Sequence, residues 1–292
     1  MNIIISLATK DFQIVKKVVR YCRLYLQIEE ESIFLITKIE NKIFFQHSWM
    51  KQNHVTLIDE DNMIPGLSLA KVKEYLKLHF QKGTHIYSGW YLQQFLKMGF
   101  ALTPYAGKEY LIWDSDTIPL HKLCFKDKNK YLLTVKTENH TPYFDTIQHL
   151  FGFGKLCDCS FIAEHMPINT QIMKELISQI ENSQVPGVNW FEKIINATSG
   201  TDEQGFSEFE TYGNYCIKYH PDIFETRALT TMRTAGLLYG RGVTSRQLAL
   251  LAKMEFDTAS FELRHIPAFP RNIANWRERF FLAFLRKLQI VK

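Results

Sequence analysis

Two aspartates one residue apart end an apolar segment of the chain. Asp114 and Asp116 close the stretch YLIWDSDT, whose first residues are typical of a buried strand. In an extended segment, residues i and i+2 point to the same side, so both carboxylates can face one cation. Like charges placed together are unfavourable unless a positive group lies between them. The spacing therefore indicates a site for a hard divalent ion completed by phosphate oxygens, with an exposed acidic turn as the alternative.

The sequence LIWDSDT also matches the motif of a known class of enzyme. An apolar strand followed by D-x-D-x-T is the pattern of haloacid-dehalogenase-type phosphatases, with Asp114 as nucleophile and Asp116 as acid. That family usually places the motif on its first strand and has a later strand that leads to paired acids. Here about a third of the chain precedes the motif, and no apolar strand leads to an Asp-Asp pair downstream. A phosphatase is therefore kept as an alternative function to the one argued below. A non-catalytic carbohydrate-binding module is a second alternative.

Strands and helices alternate in the part of the chain that leads to Leu120. An apolar run near the N-terminus, SIFLITK, VTLIDE and EYLIWD are predicted strands, and an amphipathic stretch capped by Asp11, LSLAKVKEYLKLHF and GWYLQQFLKMGF are predicted helices. This alternation predicts an α/β fold with a mostly parallel sheet flanked by helices. Such sheets bind ligands beyond the carboxyl ends of their strands, where Asp114 and Asp116 fall.

The pattern is less regular after Leu120. KYLLTVK and CSFIAEH are predicted strands, residues 169–181 and 190–197 are predicted helices, and the chain from about Thr230 is mainly helical. We expect a catalytic domain over residues 1–230 and a helical C-terminal extension over 231–292, packed on the same unit.

Composition excludes some classes of protein. The chain has 292 residues, a net charge of +5 and basic residues that are spread out, so nucleic acid is not an expected partner. The N-terminal apolar run is too short for a signal peptide or a membrane span, which predicts a cytoplasmic protein. Cys157 and Cys159 are too close together for the usual zinc pairs, so the cysteines are expected to be reduced thiols.

Five motifs occur in a characteristic order across residues 88–215. SGWYLQQFLKM, YLIWDSDT, PYF, SFIAEHM and FSEFETYGNY together resemble a family of bacterial glycosyltransferase-like proteins of the GT-A fold, a Rossmann-related α/β fold, associated with assembly of surface polysaccharide or lipopolysaccharide. The resemblance implies a transferase that uses a nucleotide-sugar donor and a glycan or lipid-linked acceptor. It also implies that Asp114, Ser115 and Asp116 bind the diphosphate and a cation, Mn²⁺ or Mg²⁺, which stabilises the leaving group.

The resemblance suggests how two further segments contact the donor. Thr9 and Asp11 follow the first strand, where GT-A proteins commonly contact the nucleotide. On the helix before the acidic strand, Gln93, Gln94 and Lys97 form one polar strip that could bind sugar hydroxyls and phosphate, and neighbouring Trp90 could stack on substrate. A solvated helix face is the alternative for this strip.

The second acidic motif supplies a candidate general base. An inverting transferase needs a carboxylate to take the proton of the acceptor hydroxyl. Glu208 and Glu210 lie well downstream of the metal motif, as that base does in GT-A enzymes, and Glu208 is favoured because it starts the motif. The alternative is a helix start in which Ser207 and Glu210 serve as capping residues. A retaining mechanism would need no such base.

Two of the ten histidines are candidate ligands. His165 follows SFIAE and could bind the acceptor or the donor phosphate, so it is a substrate-binding candidate. His220 follows the second acidic motif, roughly where many GT-A enzymes have a C-terminal metal ligand. The alternative for each is a structural histidine.

The C-terminal segment NWRERFFLAFLRKLQIVK has helical periodicity. Phe280, Phe281, Phe284, Leu285 and Leu288 form its apolar part, and basic residues lie among them. A basic amphipathic helix can lie on the inner face of the cytoplasmic membrane, where a lipid-linked acceptor would be found. The alternative is a terminal helix packed on the core.

Overall fold

The computed structural model describes residues 1–26, 28, 32–80, 87–198 and 204–287 and divides the chain into two compact units. The first unit contains Met1–Asn2, Asp59–Ile112 and Phe125–Ala228. The second unit contains Ile3–Ile58, Trp113–Cys124 and Leu229–Lys292. Each unit is therefore assembled from three separate stretches of the chain.

Strands and helices follow one another along the chain. The strands are β1 Asn2–Ser6, β2 Ile33–Thr37, β3 Val55–Asp59, β4 Glu109–Trp113, β5 Thr117–Pro119, β6 Lys126–Asp127, β7 Lys130–Val135, β8 His165–Asn169, β9 Phe224–Ala228, β10 Thr231–Met232 and β11 Thr258–Ser260. The α-helices are α1 Phe12–Tyr25, α2 His47–Gln52, α3 Leu69–Phe80, α4 Ser88–Gly99, α5 Thr141–Phe151, α6 Thr170–Glu181, α7 Trp190–Ala197, α8 Glu208–Tyr219, α9 Ala235–Tyr239, α10 Ser245–Lys253 and α11 Asn272–Lys287.

The second unit begins with strands in the order β3-β2-β1. β1 and β2 are parallel, with Ile3 opposite Ile33 and Ile5 opposite Leu35. All five residues of β2 are buried. That is typical of a parallel strand covered on both faces, which reads as one continuous apolar run. A short sheet, β10-β11-β5, follows later in this unit, with β11 antiparallel to β5.

The first unit carries β4 and β8 as neighbours and a separate sheet in the order β6-β7-β9. β7 and β9 are parallel over five residue pairs. The helices α3 to α8 belong to this unit, and α4 buries Tyr91, Leu92 and Phe95 in its core. The prediction of an α/β fold rich in parallel strands and flanked by helices is confirmed.

Two local predictions are wrong. CSFIAEH is not a strand: only Ser160 makes an isolated bridge there, with Lys136, and β8 begins at His165, where the predicted strand was expected to end. Cys157 and Cys159 are not reduced thiols, because they form a disulfide within this loop. No helix in the part of the chain that the structure describes has the length and apolar character needed to cross a membrane.

Candidate active site

The acidic motif forms a tight turn between β4 and β5 in the second unit. The backbone N–H of Thr117 donates to the carbonyl of Asp114 at 3.3 Å, and the N–H of Phe261 donates to the carbonyl of Asp116 at 2.9 Å. Ser115 is buried, whereas both aspartates are partly exposed. The backbone of the turn is thus fixed by β5 and by the residue after β11, and each aspartate keeps part of its surface in contact with solvent.

Negative charge is concentrated at this turn. Burial, together with the nearby carboxylates of Asp11, Asp114 and Glu262, raises the pKa of Asp116 to about 8, and Lys10 acts in the opposite direction. Repulsion between these carboxylates is the electrostatic condition that a bound divalent cation offsets.

Asp11 connects the turn to a buried arginine. One of its oxygens, Oδ2, accepts a hydrogen bond from Ser115 Oγ at 2.8 Å, and the other, Oδ1, lies 2.9 Å from Arg241 Nη2. Asp11 stands at the N-cap of α1, but its side chain makes no capping bond, so the predicted capping role is wrong. The reason is that both oxygens are used in these tertiary contacts, which hold Ser115 in place. Its role in nucleotide binding stays a prediction.

Arg241 joins Asp11 to the C-terminal helix. Its Nε lies 3.2 Å from Glu278 Oε2 on α11, and all three side chains are at least nine-tenths buried. The N–H of Arg241 also donates to Asn275 Oδ1 at 3.0 Å. Burial raises the pKa of Glu278 to about 7, with Arg241 acting in the opposite direction.

A second arginine lies within electrostatic range of the turn. Burial lowers the pKa of Arg233, and the carboxylates of Asp114 and Glu262 raise it. Sequence reasoning identified neither arginine as functional, because single arginines in an irregular C-terminal region form no motif. Thr9 is partly exposed in a 3₁₀ turn, Thr9–Asp11, directly before α1.

The turn has the right chemistry for a hard cation but few protein ligands. Among the residues that the structure describes, no group of three or more His, Cys, Asp or Glu side chains is placed to hold a metal ion. Two carboxylates fit such an ion only if ligand oxygens complete its shell, as phosphates do for Mg²⁺. His220, the predicted third ligand, lies in the first unit, and its Nε2 is 3.1 Å from Glu175 Oε2.

The second acidic motif begins α8 in the first unit. Ser207 is the N-cap and accepts a hydrogen bond from the N–H of Glu210, as the alternative interpretation predicted. Glu208 forms a buried ion pair with Lys97, whose Nζ is 2.9 Å from Glu208 Oε1. The N–H of Glu208 donates to Gln94 Oε1 at 3.0 Å. Gln94 and Lys97 are thus buried and bind α8, so they do not form a solvated helix face.

Glu210 occupies a different environment. Its carboxylate accepts hydrogen bonds from Ser160 Oγ and from the N–H of Phe161, and Asn214 Nδ2 donates to its carbonyl. Burial raises the pKa of Glu210, while the bonds from Ser160 and Phe161 lower it. The buried carboxyl group of Glu210 therefore holds a proton more readily than a glutamate in water does.

The remaining candidates lie in the first unit. Trp90 is partly exposed and stacks on Tyr143, with ring centroids 6.4 Å apart. Gln93 is also partly exposed on α4. His165 is fully buried, and its Nε2 lies 2.8 Å from Thr134 Oγ1. Its role in binding substrate stays a prediction.

Comparisons with known proteins identify a family and distant structural neighbours. The model described as Family of unknown function (DUF6492) matches residues 14–237. No curated protein matches the chain in sequence. An active-site mutant of LgtC has 11% identity and a TM-score of 0.46, and 96% of each chain is covered.

Two further solved structures are similar at the same level. The galactosyltransferase LgtC in complex with donor and acceptor sugar analogues has 10% identity and a TM-score of 0.42, covering 97% of this chain and 94% of that one. Mouse xyloside xylosyltransferase 1 has 10% identity and a TM-score of 0.42, covering 90% and 98%. Likeness of this size does not establish a shared activity.

Proposed function

The chain belongs to the family of unknown function DUF6492, and we propose that it is a metal-dependent glycosyltransferase. In this proposal it moves a sugar from a nucleotide-sugar donor to a glycan or lipid-linked acceptor, in the assembly of bacterial surface polysaccharide or lipopolysaccharide. One observation carries the proposal: the turn of Asp114 and Asp116, at the end of β4, gathers carboxylates beside Arg233 in a partly exposed position.

In this proposal, the residues at and around the turn have different roles in binding the diphosphate. Asp114 and Asp116 would hold Mn²⁺ or Mg²⁺, which when bound offsets negative charge on the leaving diphosphate. Arg233 supplies a fixed positive charge near the same carboxylates. Asp11 fixes the position of Ser115 through a hydrogen bond of 2.8 Å, and Asp11 is itself bound by Arg241. Donor binding therefore depends on a supported turn rather than on a flexible acidic loop.

The first acidic residues of α8 supply the general base in this proposal. Lys97 occupies one oxygen of Glu208, so a proton gained there would break a buried ion pair. The carboxylate of Glu210 instead accepts hydrogen bonds from Ser160 and Phe161, and burial raises its pKa, so we favour Glu210 as the base. Both acids are buried, so an acceptor hydroxyl must reach this helix start for either to act.

The test is donor binding, measured as a thermal shift over a panel of nucleotide sugars with and without Mn²⁺. A ligand that binds only the folded state raises the midpoint of unfolding. We expect a Mn²⁺-dependent shift with one donor, and we expect its loss in Asp114→Asn and Asp116→Asn. Asp222→Asn, at an exposed aspartate of the first unit, is the matched control and should bind as the wild type does.

The same variants carry an internal check on folding. Without metal or donor, Asp116→Asn should unfold at a higher temperature than the wild type, because it removes a carboxylate that its neighbours repel. Unchanged Mn²⁺-dependent donor binding in both variants would show that the motif is only an acidic turn. A phosphoryl adduct on Asp114 would establish the phosphatase instead.

Transfer activity then distinguishes the two glutamates. Glu210→Gln should retain donor binding and lose roughly two to four orders of magnitude in transfer rate, the usual size of a general-base contribution. A larger loss of rate in Glu208→Gln, measured at a temperature at which both variants are folded, would assign the base to Glu208. If both variants are near normal, the product should have retained its anomeric configuration.

A further inference from the structure

Helix α11 in the second unit has two different faces. Asn275, Glu278, Leu282 and Leu285 are buried against the unit. The opposite side, which we call the aromatic face, is exposed and consists of Ile273, Trp276, Phe280, Phe281 and Phe284. Positions 273, 276, 280 and 284 follow the helical repeat, so these side chains form one continuous stripe. The helix is thus packed on its unit through Leu282 and Leu285, as the alternative interpretation predicted, while Phe280 and Phe284 stay exposed.

The exposed fractions on this face are unusually large. Trp276 is 67% exposed and Phe280 is 77% exposed. Single exposed apolar residues need no explanation, but a contiguous patch of this kind marks a binding surface. A surface of three phenylalanines and a tryptophan in water carries an unfavourable free energy that a partner would remove.

The exposed charged side chains of α11 have one sign. Within the described residues, α11 exposes Arg277, Arg279, Arg286 and Lys287. The helix also contains an acid, Glu278, but that side chain is buried and paired with Arg241. The exposed side of α11 thus combines aromatic side chains with basic ones, which complements a partner that is apolar inside and anionic at its surface.

A cavity opens beside the same face. It has a volume of about 790 Å³, and its lining includes Trp276, Phe280, Phe281, Gln13 and Arg241. Arg241 is also the residue that binds Asp11. A partner on the aromatic face would therefore lie beside a cavity that shares Arg241 with the support of the candidate active site.

We propose that α11 is an interfacial helix that docks the protein on an anionic lipid bilayer. Trp276, Phe280 and Phe284 enter the boundary between head groups and acyl chains, and the arginines contact lipid phosphates. A tryptophan and phenylalanines on one face with arginines beside them is the composition of helices that lie in a membrane interface. Attraction of the basic residues to anionic lipid adds to the apolar contribution. The proposal does not rest on the proposed activity, because docking requires no donor.

Vesicle binding by the full chain tests this directly. The protein is mixed with vesicles of phosphatidylcholine alone or with phosphatidylglycerol added, and the bound fraction is measured by flotation. We expect binding only when phosphatidylglycerol is present, and weaker binding as the salt concentration rises from low to high. Trp276→Ser and Phe280→Ser should each weaken binding roughly tenfold or more, since each removes a large apolar side chain from the lipid contact.

Matched variants separate docking from loss of the fold. Leu78→Ser removes a side chain that is 74% exposed on α3 of the other unit and should leave vesicle binding unchanged. Arg277→Glu and Arg286→Glu should weaken binding to anionic vesicles while the unfolding midpoint stays near the wild-type value. In the wild type, brominated lipids should quench tryptophan fluorescence, and Trp276→Phe should remove most of that quenching while binding persists.

Several results would overturn the proposal. Equal binding to neutral and anionic vesicles would remove the role of the arginines. No binding to either, with a dimer that Phe280→Ser dissociates, would show that a second copy covers the face. Binding that survives both Trp276→Ser and Phe280→Ser would place the lipid contact elsewhere on the chain.

Discussion

Lys97 Nζ lies 2.9 Å from Glu208 Oε1, and both side chains are less than one-tenth exposed. Lys97 also lies over the ring of Phe209, 4.7 Å from its centroid. The pair joins α4 to the first turn of α8, so it has a structural role whether or not Glu208 takes part in catalysis.

Removal of one member of this ion pair should be costly. Glu208→Gln removes the negative charge that lies 2.9 Å from the buried Lys97 ammonium, and we expect a loss of about 3–5 kcal/mol in the free energy of unfolding. Lys97→Met combined with Glu208→Gln should recover part of that loss, because the buried ammonium is then removed as well. Urea unfolding of the two single variants and the double variant measures this. A loss below about 1 kcal/mol in Glu208→Gln would contradict the importance of the pair.

Acid should destabilise the protein through His165. Burial lowers its pKa to about 3 from the usual 6.5, and the positive charges of Arg227 and Lys136 act in the same direction. The unfolded chain therefore binds a proton below pH 6.5 that the folded chain does not bind. The contribution to stability is complete above pH 6.5 and falls by about 1.4 kcal/mol per pH unit as the pH decreases toward 3.

His165→Gln should flatten this acid dependence, as measured by urea unfolding between pH 7 and pH 4. For each protein, the free energy of unfolding at pH 7 is the reference for the values at lower pH. Any loss of stability caused by a cavity in His165→Gln therefore cancels from the comparison. His47→Gln, at an exposed histidine, is the control and should keep the wild-type slope. An unchanged slope in His165→Gln would assign the acid sensitivity to other groups.

Gly213 on α8 has no room for a side chain. A Cβ atom there would lie 2.3 Å from the ring of Phe161, which is itself fully buried. Gly213→Ala should therefore destabilise the protein by about 1–3 kcal/mol despite the better helix propensity of alanine. Gly89→Ala on α4 is the control, since nothing lies within 4 Å of its Cβ position, and it should be neutral or mildly stabilising. Thermal unfolding compares the two, and equal midpoints would refute the close packing.

The cysteines should give a defined thiol count. With Cys157 and Cys159 in a disulfide, the denatured chain has three thiols, those of Cys22, Cys124 and Cys216. Alkylation of protein denatured without reductant should therefore label three positions, and prior reduction should raise the number to five. Mass spectrometry of the labelled chain reads both values. Five labels without reductant would mean that the two residues are reduced in solution, as the sequence suggested.

Local periodicity predicted most of the elements around the site. The helix predicted over residues 190–197 is α7, and the segment EYLIWD is β4 followed by Asp114. The first has apolar residues at helical spacing, and the second is a short apolar run typical of a buried strand. CSFIAEH failed because an apolar run shows that a segment is buried but not which backbone it pairs with. There Phe161 packs against Gly213, and Ser160 binds Glu210.

The supports of the candidate site had no local signal. Arg241 is 230 positions from Asp11, so no spacing rule relates them. Asp11 looked like a helix cap because aspartate is a common capping residue. Only the folded structure shows that its two oxygens bind Ser115 and Arg241 instead. Sequence patterns therefore located the acidic turn but not the residues that hold it.

The division of the second unit among three stretches of chain also affects its synthesis. A ribosome adds roughly 5–20 residues per second, so Arg241 is made roughly 10–50 s after Asp11. During that interval the carboxylate of Asp11 stays in water. The apolar strands β1 and β2 also lack the packing partners that the later stretches of their unit supply. The second unit therefore cannot bury this apolar surface during synthesis until the last quarter of the chain emerges.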